Sequence, residues 1–98
     1  MTIDAFSRAA KPDPAWPAPL RGLWRDVHDD WDGAHAEVQS DESADGAWVH
    51  AYLHRKEGDL GNARYWYARA GRPASSVSLA EEWREIAGEM LGGKTKNE

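Results

Sequence analysis

Apolar residues recur along the middle of the chain at the spacing of a helix, not a strand. Leu20, Leu23, Trp24, Val27 and Trp31 fall at i, i+3, i+4, i+7 and i+11 and make a one-sided stripe. Asp29 or Asp30 is placed to cap a second short helix carrying Ala34 and Val38. Ser40-Asp41-Glu42-Ser43 is a polar connection whose side chains suit the start of the next helix. From about Ala44 to Glu57 the apolar set Ala47, Trp48, Val49, Ala51, Tyr52 and Leu53 covers more than one face. That helix should therefore be central and packed on two sides. Gly58 offers a left-handed stop and Asp59 a cap for a fourth helix near 60–70, which carries Leu60, Ala63, Tyr67 and Ala70.

The last helix has the plainest start. Ser78-Leu79-Ala80-Glu81 fits a capping box, and Leu79, Trp83, Ile86, Ala87, Met90 and Leu91 follow as a stripe. No run alternates as a half-buried strand would. The pattern predicts an all-α fold of about five short antiparallel helices: two helix-turn-helix hairpins and a C-terminal capping helix. Residues 1–19 hold four of the five prolines, which predicts an extended, proline-rich arm pinned by Trp16. Pro14-x-x-Pro17 formally matches a PxxP ligand, but a stiff arm is the expected reading. Residues 20–91 form the expected domain, and residues 92–98 the expected flexible tail.

Composition narrows the chemistry. A formal net charge of -5 in 98 residues argues against a nucleic-acid partner, which needs a basic face. With Cys 0, any metal must use His and carboxylates. No apolar run reaches the roughly 20 residues of a membrane span, and the polar start Met1-Thr2-Ile3-Asp4 predicts no secretory leader. The chain carries six Trp. Trp24, Trp31 and Trp83 lie on apolar stripes, Trp16 anchors the arm, and Trp48 and Trp66 are left as candidates for recognition.

His50 and His54 are four apart and share one helix face, a spacing that can chelate zinc or another divalent ion. The zincin pattern needs Glu after the first His, and that place holds Ala51. His28, His35, Glu57 and Asp59 are all open as a third ligand. The alternative is a packed, neutral pair, or one bound to a partner, and burial would make its packing pH-sensitive. Asp29-Asp30-Trp31-Asp32 lacks the register of a calcium loop, and Gly92-Gly93-Lys94-Thr95 lacks the upstream Gly of a phosphate loop. Nucleophile motifs are missing, so no cofactor is expected and an enzyme is the less favoured class.

Charge is segregated. Residues 26–45 hold eight acids and no Lys or Arg, whereas residues 55–72 hold five bases, Arg55, Lys56, Arg64, Arg69 and Arg72. A solvated acidic face and pairing between hairpins is the default. The sharper reading is a basic, aromatic surface, since Arg and Trp are enriched in binding hot spots.

A 29-residue offset aligns Asp30, Ala34 and Val38 with Asp59, Ala63 and Tyr67, as tandem hairpins would. Gly58-Asp59-x-x-x-Ala63-x-x-x-Tyr67-x-x-Ala70 resembles the second half of a tetratricopeptide or Sel1-like repeat, well over about residues 44–73 and poorly over 20–40. On the first helix Ala47, His50, Ala51 and His54 depart from the family pattern, and Pro73 falls two residues early. The run from Trp48 to Pro73 also resembles a group of small bacterial proteins, which implies a bacterial, cytoplasmic setting and supplies no activity. The repeat resemblance implies a groove lined by the first helix. With the neighbouring aromatics, the expected partner surface is Trp48, Tyr52, Arg55, Lys56, Tyr65 and Trp66. Such a module would bind a protein or peptide, an acidic one by charge. A metal protein or enzyme built on His50 and His54, and a self-associating homodimer, are the other readings.

Overall fold

Five of the six helices among the described residues begin where a short polar side chain accepts from an orphan amide, and the other begins at prolines whose fixed φ suits a first turn. In the computed structural model, which describes residues 1–92, Thr2 caps α1 (Ile3–Arg8) and Pro17 precedes α2 (Ala18–Val27). Asp30 caps α3 (Trp31–Val38), Ser43 caps α4 (Ala44–Glu57), and Asp59 caps α5 (Leu60–Ala70). The capping box at Ser78 and Glu81 opens α6 (Leu79–Met90), with both reciprocal bonds formed. Gly58 (φ 92°) and Gly71 (φ 72°) end α4 and α5 in the left-handed region that favours glycine. The protein is all-α: these six helices hold no strand among the described residues.

The expected five helices are present, and α1 is a sixth. The stretch of residues 1–19 is thus not an extended arm throughout. Phe6 is completely buried, packing on Trp16 with ring centroids 5.0 Å apart and on Trp83 at 6.0 Å. The prolines begin only after α1, so they do not prevent it. The expected tail lies, apart from Gly92, outside the described residues.

Helices α2 and α3 pair, α4 and α5 pair, and α4 also touches α2, α3 and α6. All nine residues from Gly46 to His54 are buried, so α4 is the central helix. Gly22 lets α2 approach α3 closely: a Cβ there would stand 3.2 Å from Val38 Cγ1 and 3.3 Å from the Ala34 carbonyl. Val27, expected on the buried stripe, is 44% exposed.

The core contains two ionic clusters. Glu82 on α6 is fully buried and receives Trp48 Nε1, the Tyr67 hydroxyl and the Arg55 guanidinium, the last at 2.7 Å. Asp26 on α2 accepts from the Tyr52 hydroxyl at 2.7 Å and from Lys56 Nζ at 2.8 Å. Burial foremost, then Asp26, raises the Tyr52 phenol well above its ordinary range, which keeps it a donor. Partly buried, Glu37 accepts from Arg21 and Arg25, tying α2 to α3.

Candidate metal centre

Helical geometry carries His50 and His54 to one face of α4, where their rings stack with centroids 4.9 Å apart. The α2–α3 pair then delivers His35 to the same face. Its Nε2 lies 3.1 Å from His50 Nε2. One nitrogen from each of His35, His50 and His54 lies within 4.8 Å of those of the other two. Sequence spacing left four candidates for a third ligand, and the fold separates them. His28 stacks on Trp24 at 3.9 Å and bonds the Ser7 carbonyl. Asp59 caps α5 through the Asn62 amide, and its carboxylate also lies within 4.8 Å of ligand atoms of His54 and Glu57, a second group whose two carboxylates are exposed. Glu57 accepts from His54 Nδ1 at 2.7 Å, so it holds His54 in place, and His35 joins the pair.

Aromatic rings wall the cluster. Trp66 stacks on His50 at 3.9 Å and Trp31 on His35 at 5.1 Å, both nearly parallel. Trp31 is itself pinned by its indole N–H to the Leu53 carbonyl at 2.9 Å. Such walls fix the imidazole planes and thin the water around them.

Burial foremost, then the neighbouring His35 and His54, pushes the pKa of His50 down to about 4. Burial, then His54, lowers His35, opposed by Glu57 and Asp32. Both imidazoles are therefore neutral near pH 7, the form that ligates metals. The His50 Nδ1 atom is buried without a hydrogen-bond partner, an uncompensated polar group that costs about 1–3 kcal/mol. Three imidazoles without a thiolate suit zinc, copper or nickel, and three protein nitrogens leave one tetrahedral position open. The Glu57–His54 bond has the form of a carboxylate orienting a ligand histidine.

The expected aromatic and basic surface is divided by the fold. Trp48 and Tyr52 are 5% and 3% exposed. Trp48 sits beneath the Arg72 guanidinium, 3.4 Å above its ring. Arg55 bonds Glu82 and the Val77 carbonyl, and Lys56 bonds Asp26. The resemblance-derived groove lies under α6, whose Glu82 draws in Trp48, Arg55 and Tyr67. Tyr65 is 53% exposed and Trp66 half-buried, so only these two of the six reach the outside as aromatic surface. Arg69 accompanies them, donating to the Tyr65 hydroxyl at 3.1 Å and lying 5.3 Å from the Trp66 ring centroid. No sequence motif marks Glu82 or Asp26, because each sits among other acids and looks no different from its solvent-facing neighbours. No family model matches the chain, and neither a curated protein nor a solved structure matches it.

Proposed function

We propose that this protein binds a divalent transition-metal ion, of which zinc is the type, through His35, His50 and His54. The observation that carries this reading is the meeting of three mostly buried imidazoles from two helices, with His35 and His50 nitrogens 3.1 Å apart. That distance is close to the edge of a tetrahedron built on zinc–nitrogen bonds of about 2.0–2.1 Å. The Glu57 carboxylate and the Trp31 and Trp66 rings fix the ligands before the ion arrives. The test is calorimetric titration of zinc into chelator-stripped protein, with His35→Ala and His50→Ala beside it. One equivalent bound by the parent and none by either variant is the expected result. Absence of stoichiometric binding, or equal binding by the variants, overturns it.

A partner-binding reading keeps a narrower basis in the exposed Tyr65 and Arg69 beside the half-buried Trp66, which form a rim suited to an acidic peptide or to a second copy of the chain. Light scattering over a range of concentrations, with Tyr65→Glu as the variant, separates these occupants. A parent dimer that the variant loses favours self-association.

A further inference from the structure

Tyr52 and Lys56 leave α4 about 200° around its axis from His50 and His54, since a helix turns about 100° per residue. On that side lies a cavity of about 430 Å3, within the usual range of small-molecule sites. Ile3 of α1, Val27 of α2, and Leu79 and Trp83 of α6 supply apolar walls. Polar groups converge at its base, where Asp26 holds the Tyr52 hydroxyl and the Lys56 ammonium. Asp26 is 3% exposed and both its oxygens are occupied, so it fixes Lys56 and offers nothing to a ligand. Lys56 uses one of its three N–H donors on Asp26. Its side chain is 38% exposed, so the other donors are available to a ligand.

Arg84 stands at the rim and makes no hydrogen bond or ion pair among the described residues. Asp29 is also at the rim, in the left-handed region at φ 67°, with a carboxylate likewise unpaired. Two cations with spare donors beside four apolar walls call for one negative group on an apolar body. The free Asp29 carboxylate opposes a second negative charge.

We infer that this cavity binds a small carboxylate carried on an apolar body, its oxygens received by Lys56 and Arg84 and its hydrocarbon by Ile3, Val27, Leu79 and Trp83. This site is separate from the histidine cluster and does not depend on it.

The test is calorimetric titration of the full chain with octanoate and, as the uncharged match, 1-octanol. EDTA is present throughout, so that carboxylate bound to a metal is not counted. Octanoate is expected to bind at one site at least tenfold more tightly than 1-octanol. Arg84→Gln should weaken octanoate about tenfold, the loss of one charge-assisted contact. Asp29→Asn, a residue that tolerates left-handed backbone, should tighten it several-fold. Thermal melting of both variants reports whether they fold, and both positions are at the surface. Failure of octanoate to saturate a site, equal binding of 1-octanol, or an unchanged octanoate affinity in Arg84→Gln overturns the proposal.

Discussion

His35 and His50 are 15 residues apart in the chain, yet their Nε2 atoms are 3.1 Å apart. At that distance the pair either shares one hydrogen between two neutral rings or offers two lone pairs to one cation. Either way the contact depends on α3 and α4 packing, and His54 lies against both rings.

Glu57 is the first test of whether the cluster is organised for an ion. Its carboxylate accepts from His54 Nδ1, which leaves the other ring nitrogen for an ion. Glu57→Gln should weaken zinc binding about 10–100-fold, the usual effect of losing a ligand-orienting carboxylate. Because Glu57 is half-exposed, melting of the metal-free variant should stay close to that of the parent. Unchanged zinc affinity would show that His54 is not a ligand oriented in this way.

The second concerns acid. His50 is held at about 4 when folded, against 6.5 for a free histidine. Between those values the unfolded chain binds more protons than the folded one, so stability falls as pH falls through this window. The lowered His35 acts in the same direction. For metal-free protein the loss from His50 is on the order of 3 kcal/mol by the bottom of the window. Urea unfolding at pH 7, 5.5 and 4.5, on the parent and His50→Gln, separates this slope from that of the carboxylates. Parallel curves for the two proteins would remove His50 as its source.

Helix boundaries were legible in the sequence because their causes are local. Ser78 with Glu81, Gly58 with Asp59, and the stripe on α6 each act within a few residues, and each works in the structure as expected. Helix α1 was not legible. Its anchor Phe6 is apolar in a polar segment, and its worth depends on Trp83, far along the chain. The histidine pair on α4 was visible from spacing, but the choice of His35 rests on how α3 meets α4. The fold divides the expected partner surface for a related reason. A Trp or Arg on an interaction face looks the same in sequence as one drawn inward by a distant buried acid. Glu82, four residues before Ile86 and beside Trp83, is that acid.

Glu82 supplies the third prediction. Its carboxylate is balanced by Arg55, whose side chain is 18% exposed, while Tyr67 and Trp48 donate as neutral groups. Arg55→Met leaves a buried charge uncompensated and should cost about 3–5 kcal/mol. Adding Glu82→Gln removes the charge while keeping an acceptor for Tyr67 and Trp48. The double variant should therefore be more stable than Arg55→Met alone, although it carries one more substitution. Denaturant unfolding of the four proteins in this cycle measures the coupling. Simple additivity would mean that Arg55 is not balancing Glu82.

Phe6 decides whether the N-terminal segment belongs to the domain. An extended arm pinned only at Trp16 would tolerate a small residue at position 6. The observed ring instead fills a completely buried place between Trp16 and Trp83. Trp24 also donates its indole N–H to the Ala9 carbonyl at 3.0 Å, which ties the end of α1 to α2. Phe6→Ala should thus cost about 3–5 kcal/mol, the range for emptying an aromatic site in a core. Removing residues 1–9 should cost at least as much, because the Trp24 bond is lost as well. Lys11→Ala, at an exposed position with no such contacts, should change stability by less than about 0.5 kcal/mol. Thermal and urea unfolding of the three variants provide the comparison. If Phe6→Ala melts with Lys11→Ala, α1 does not contribute to the core and the proline-rich segment is an arm after all.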